Sequence, residues 1–144
     1  MNIWLLLVYK VPSEPSARRV YVWRKLKRLG ALLVHDAVWI LPATDRTREQ
    51  LQWLAAEIVE MQGDTLLWEA HQAFTGQDEA LIQQFKTQVE VIYQEILGEL
   101  SKQDADLEAL SRRYQQARLQ DYFQTPLGIQ TREALVAARG ESEP

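Results

Sequence analysis

The chain opens on seven consecutive apolar positions, Ile3–Tyr9. A run of that length suits a central strand buried on both faces. Pro12 and Pro15 then interrupt it, because proline continues neither a ladder nor a helix interior. Val22, Leu26 and Leu29 recur at helical spacing with Trp23 beside them, which predicts a helix over residues 16–29. Its apolar stripe faces a core, and Gly30 stands where a C′ glycine belongs. Arg18, Tyr21, Lys25 and Arg28 form the opposite stripe, with Arg24 next to it. Residues 31–34 and 37–41 predict two short strands, joined by a tight hairpin turn at His35-Asp36. Thr44 or Asp45 caps a second helix reaching residue 62. Its apolar set, Leu51, Leu54, Ile58 and Met61, is spaced 3-4-3, and Gly63 closes it. Residues 65–68 give a last strand.

The order βαββαβ over residues 1–72 predicts an α+β domain of the ferredoxin-like, split βαβ type. One sheet face carries both helices, and the other needs a cover. Residues 73–144 are expected to supply it as a C-terminal antiparallel helical extension packed on the sheet. Residues 78–100 repeat Ile82, Phe85, Val89, Ile92 and Ile96 at 3-4-3-4, the spacing of a helix–helix seam. Residues 104–121 repeat Leu107, Leu110, Tyr114 and Ala117. The short link 101–103 folds the two helices back to back. A turn over 122–128 leads to a short helix at 130–138, and residues 140–144 are expected to fray.

Composition narrows the chemistry. The 144 residues include no cysteine, which removes disulfides, thiolate metal sites and a cysteine nucleophile. There are two histidines, His35 and His71, so a histidine-rich metal site is not expected. The apolar runs are far too short for a bilayer, and no basic segment precedes the first one. A cytoplasmic location without membrane attachment is the expectation. The net charge of −4 conceals a division. Residues 1–48 carry nine Lys/Arg against three Asp/Glu, a balance of +6, whereas residues 49–144 stand at −10. The local excess favours an anionic partner at one face, and the acidic remainder weighs against it.

No Gly-rich phosphate loop, His-Glu-x-x-His or nucleophile elbow is present. His35-Asp36 can present an imidazole at a hairpin tip, although a solvated turn is the simpler reading. His71 has no evident partner. Glu57, Glu60, Asp64 and Glu69 can be drawn together as metal ligands on paper, but solvated helix faces look the same. Trp4, Trp23, Trp39, Trp53 and Trp68 fall one per element, a distribution that points to a shared core for most of them. No catalytic residue, metal or cofactor is assigned. The basic helix carries the functional signal. Arg18, Arg19, Arg24, Lys25, Lys27 and Arg28 lie within eleven residues, and guanidinium forks match phosphate geometry. The competing account is a solvated helix neutralised by the acidic C-terminal helices.

The pattern Trp4–Tyr9, Arg18-Arg19, Val22–Leu26, Leu29–Ala31 and Asp36–Pro42 resembles the N-terminal domain of ChrB-type chromate-resistance regulators. Gly63-Asp64-Thr65 fits as well, as do Arg118, Asp121–Phe123 and Pro126–Gly128. The resemblance covers nearly the whole chain. It implies a bacterial transcriptional regulator that responds to chromate. It also implies that a second, C-terminal domain of full-length members is missing here, so a separate chromate-sensing protein is a candidate partner. Residues 1–70 are more distantly similar to the CRISPR-associated integration protein and to a domain of phenylacetate-pathway repressors. The former group places a metal-binding Asp directly after the first strand's Tyr. This chain has Lys10 there, and an ammonium cannot ligate a divalent cation.

Three functions follow, in order. The first is a regulatory, non-enzymatic domain meeting DNA phosphates through Arg18, Arg19, Arg24, Lys25 and Arg28. The second is an interaction module that homodimerises through the 82–96 seam and a sheet edge. The third is an enzyme, either a metal-dependent nuclease or one using His35-Asp36.

Overall fold

In the computed structural model, residues 2–74 and 76–142 are described. The order is β1 (Trp4–Lys10), α1 (Ser16–Leu29), β2 (Leu32–Val34), β3 (Val38–Pro42), α2 (Asp45–Glu60), β4 (Asp64–Ala70), α3 (Asp78–Leu100), α4 (Leu107–Leu119) and α5 (Pro126–Ser142). Two compact units divide it, residues 1–78 and 79–144.

The first unit is the expected βαββαβ arrangement. Its four strands lie in the order β2-β3-β1-β4, all neighbours antiparallel. This is the ferredoxin-like order, with the long apolar β1 in the interior. Register then sorts the side chains. Leu5 and Leu7 share a face with Leu41, Trp39, Leu67 and Glu69. Leu6 and Val8 share the other with Ile40, Trp68 and Leu66. Arg48 of α2 reaches Glu69, which marks the first face as the helix side. There Leu5, Leu7 and Leu41 meet a core that includes Val22, Leu26, Leu51, Leu54 and Ile58, all buried. Each such side chain contributes roughly 1.5–3 kcal/mol of burial.

The helix ends have identifiable stops. Gly30 adopts φ 80°, and its N–H donates to the Lys27 carbonyl while Ala31 donates to Leu26. That pair is a Schellman motif. At the start of α2, Thr44 and Thr47 exchange hydrogen bonds: the Thr47 N–H donates to Thr44 Oγ1 (3.0 Å), and the Thr44 N–H donates to Thr47 Oγ1 (2.8 Å). Buried Thr47 also donates to the Pro42 carbonyl (2.7 Å), joining helix start to strand end. The end of α2 differs from expectation. Gln62, not Gly63, takes the left-handed conformation (φ 67°). Gly63 is needed for space, since a Cβ there would collide with the Lys10 carbonyl and Ile58.

His35 (φ 52°) and Asp36 (φ 56°) form the hairpin turn, with Ala37 N–H donating to the Val34 carbonyl. Both are exposed. The tryptophans depart from the shared-core expectation. Trp4 and Trp39 are buried, but Trp23 is 50% exposed, Trp53 68% and Trp68 50%. A helix or strand that packs on one side leaves its other side wet, whatever residue stands there.

The second unit is built from α3, α4 and α5. Val89, Tyr93, Ile96, Leu110, Tyr114, Ala117 and Leu135 form its core. Tyr93 and Tyr114 rings lie 6.1 Å apart, and Arg113 pairs with Glu95 at 2.8 Å, so α3 and α4 run antiparallel. Phe85 is flanked by Tyr122 and Phe123 at 6.0 and 6.1 Å. The seam expected of Ile82, Phe85, Val89, Ile92 and Ile96 is shifted, since Tyr93 is buried and Ile92 only partly so. A straight helix drifts from a strict heptad by about 20° per repeat. Val89, Tyr93 and Ile96 are engaged within their own unit, so they are not a free homodimer surface. The last helix is longer than expected. It starts at Pro126, a favoured first-turn residue, and continues through 140–142, where fraying was expected. Residues 143 and 144 of that expectation lie outside the described residues.

Candidate nucleic-acid interface

Helix α1 lies in a layer with α2, and this decides which of its cations face outward. Its core side is Val22, Leu26 and Leu29. Its second flank faces α2. There Arg18 Nη1 donates to the Met61 carbonyl at 3.0 Å, and the Tyr21 hydroxyl donates to Glu57. Lys25 lies over the Tyr21 ring at 5.6 Å. The stripe Arg18–Tyr21–Lys25–Arg28 is therefore not simply opposite the core, as the sequence suggested. A helix in a two-helix layer has two packed sides, and this stripe borders the second. Arg18 and Lys25 are accordingly half-buried. Tyr21 is held in its neutral form, with its pKa raised first by the hydrogen bond to Glu57.

The outward face carries Val20, Trp23, Arg24 and Lys27, with Arg28 at its border, and all are exposed. Lys27 lies 5.8 Å from the Trp23 ring centre, a cation–π pair. Arg19 is exposed on the remaining flank, close enough to Tyr9 for its charge to act on that hydroxyl. Burial is nevertheless the larger influence on Tyr9 and raises its pKa. Among the described residues, neither Arg19 nor Arg24 is ion-paired. Of the five predicted residues, Arg19, Arg24 and Arg28 are exposed, while Arg18 bonds to the Met61 carbonyl at the end of α2 and Lys25 lies over Tyr21 of its own helix. Sequence reasoning passed over Trp23 as core and Lys27 as secondary. The available signal was a Trp standing between basic residues on a face that the core stripe did not need.

The other candidates do not converge. Glu57 is engaged by Tyr21, Glu69 by Arg48, and Asp64 stands opposite Lys10 in the β1–β4 register. Among the described residues no three His, Cys, Asp or Glu side chains are grouped to hold a metal ion. Asp78 shows what a used carboxylate looks like here. It accepts from Trp4 Nε1 (2.9 Å), Gln72 Nε2 (2.9 Å) and the Asn2 N–H (3.4 Å). Those bonds, that of Trp4 foremost, hold it below the usual carboxylate range. Among the described residues no helix is long and apolar enough to cross a membrane.

Protein ChrB of Cupriavidus metallidurans is 36% identical over 77 residues, which are 54% of this chain and 24% of that protein. The match thus spans about a quarter of the relative's length. No solved structure matches the chain. The family described as Protein ChrB, N-terminal, matches residues 19–108, from the second arginine of α1 to the first turn of α4. That is more than half of the sequence, and the chain belongs to the ChrB N-terminal family.

Proposed function

We propose that this chain is a regulatory, non-catalytic domain of a chromate-resistance system and that it meets DNA phosphates through the outward face of α1. The observation that carries the reading is the exposed set Arg19, Arg24, Lys27 and Trp23 on one helix, with the two arginines unpaired among the described residues. Guanidinium forks there match phosphate geometry, and a half-exposed indole offers a stacking surface. Family membership supports the chromate-resistance setting. A full regulator would need the sensing part that the longer relative has room for, so a second domain or a separate protein supplies it in this reading.

The test is duplex binding as a function of salt. Each phosphate contact contributes about 0.9 to the slope of log affinity against log salt. Arg24→Gln combined with Lys27→Gln should lower that slope by roughly 2 and weaken low-salt binding about tenfold or more. Absence of binding at low salt, with the protein folded, refutes the reading. A second reading, self-association, draws on Leu66 and Trp68, which leave apolar surface exposed on β4. Sedimentation of Trp68→Glu against the parent separates the two, since that change alters mass only if the strand is an interface.

A further inference from the structure

A second basic surface lies in the other unit, where the net charge is negative. Between α4 and α5 runs a groove of about 610 Å³, lined by Arg112, Arg118, Arg132 and Arg139 among others, with Glu108 as the one acidic residue among the described ones. A smaller hollow of about 270 Å³ opens beside it. Tyr114, Arg118 and Arg132 line both. Arg118 and Arg132 are exposed and, among the described residues, neither is ion-paired.

Two details bear on what the junction can hold. The first is Tyr114, only 8% exposed and part of the unit's core. Among the described residues its hydroxyl has no hydrogen-bond partner, yet no fully buried side-chain oxygen is left unsatisfied. The hydroxyl therefore reaches solvent, and Tyr114 is part of the wall of both concavities. A donor without a partner among the described residues thus stands at their border. The second is Asp121, the carboxylate of the smaller hollow. It accepts from Tyr93 Oη (2.9 Å), the Thr125 N–H (3.0 Å) and Thr125 Oγ1 (3.1 Å). Neutral donors satisfy it, so it does not consume either arginine. Tyr93 remains a donor because burial, and then Asp121 itself, push its pKa well above the ordinary tyrosine value.

We propose that Tyr114, Arg118 and Arg132 form a binding site for a tetrahedral oxyanion of the phosphate or sulfate type, free or as the monoester of a small molecule. Two guanidinium groups supply charge and forked donors, and the phenol supplies a third donor from the core side. The wider groove continues from this point and has room for an organic remainder.

The experiment is titration of the whole chain with inorganic phosphate, sulfate and phenyl phosphate at constant ionic strength in chloride, followed by NMR. Saturable binding with shifts centred on 114, 118 and 132 is expected. Arg118→Gln and Arg132→Gln should each weaken it roughly tenfold, and Tyr114→Phe severalfold. Arg113→Gln is the control, because Arg113 pairs with Glu95 and lies outside both concavities. Phenyl phosphate binding tighter than inorganic phosphate assigns an esterified ligand. The reverse order assigns a free anion. No saturation by tens of millimolar, or equal loss in Arg113→Gln and Arg118→Gln, overturns the site. The site is separate from α1, so its failure leaves DNA binding standing, and loss of DNA binding leaves it standing in turn.

Discussion

The two basic surfaces differ in how they arise. That of α1 lies in a segment with a charge of +6, and its cations are neighbours in sequence. That of α4 and α5 lies in a segment with a charge of −10, and Arg118 and Arg132 line one hollow only because the 120–125 connection folds one helix back on the other. Segment charge misleads in both directions. In α1, Arg18 is drawn into a bond to the Met61 carbonyl at the end of α2, and Lys25 lies over the Tyr21 ring of its own helix. In the second unit, Glu95 and Glu99 pair with Arg113 and Lys102, while Arg118 and Arg132 are left for solvent. Local potential depends on which charges are already engaged, not on how many a stretch contains.

The contrast can be broken most sharply at Gly128. A Cβ there would lie 2.7 Å from Asp121 Oδ2 and 3.0 Å from the Tyr93 ring. Gly128→Ala should destabilise the protein by about 1–3 kcal/mol and disturb the oxyanion hollow, with the DNA salt slope unchanged. Denaturant titration and salt titration on the same variant check both halves. An altered slope would mean that the two surfaces are not independent.

Tyr93→Phe removes a donor from Asp121 and should cost about 1–2 kcal/mol at neutral pH. It also carries a pH signature. The folded-state pKa of Tyr93 is raised, so its contribution is complete below the unfolded value near 10 and is lost as pH rises through the folded value. Stability measured from pH 8 to 11 should fall more steeply for the parent than for the variant. Parallel curves would remove the Tyr93–Asp121 bond from the account.

Within α1 the comparison sharpens between neighbours. Arg18→Gln loses its bond to the Met61 carbonyl and should cost roughly 1 kcal/mol, leaving the salt slope nearly intact. Arg24→Gln should do the reverse, lowering the slope by about 1 without measurable loss of stability. The least effect on either basic surface is expected at the helix start. Thr47→Val breaks the reciprocal cap and the bond to Pro42, costs about 1 kcal/mol, and should leave both anion surfaces unaffected.

Much of the fold was legible in the sequence. The alternation of apolar runs with one helical period after another gave βαββαβ, and Gly30, Thr44 and the His35-Asp36 turn fell where local chemistry requires them. Such features depend on interactions within a few residues, and the side chains themselves encode them. Less local features were misread. The outward position of Trp23, the bond of Arg18 to the end of α2, and the burial of Tyr93 in place of Ile92 each depend on which element lies alongside.

The expected resemblance shows the same division. Arg118, Asp121 and Gly128 were part of it, although they lie beyond residues 19–108 that the family match covers, and nothing in their spacing showed their purpose. In three dimensions Gly128 leaves room for Asp121 and Tyr93, Asp121 is satisfied by hydroxyl and amide donors, and Arg118 is thereby free to join Arg132. By itself the sequence determined the elements, their caps and the ferredoxin-like order, because hydrophobic period and turn chemistry act locally. Only the tertiary structure decided which charges face water unpaired, because pairing is settled between residues that the chain places far apart.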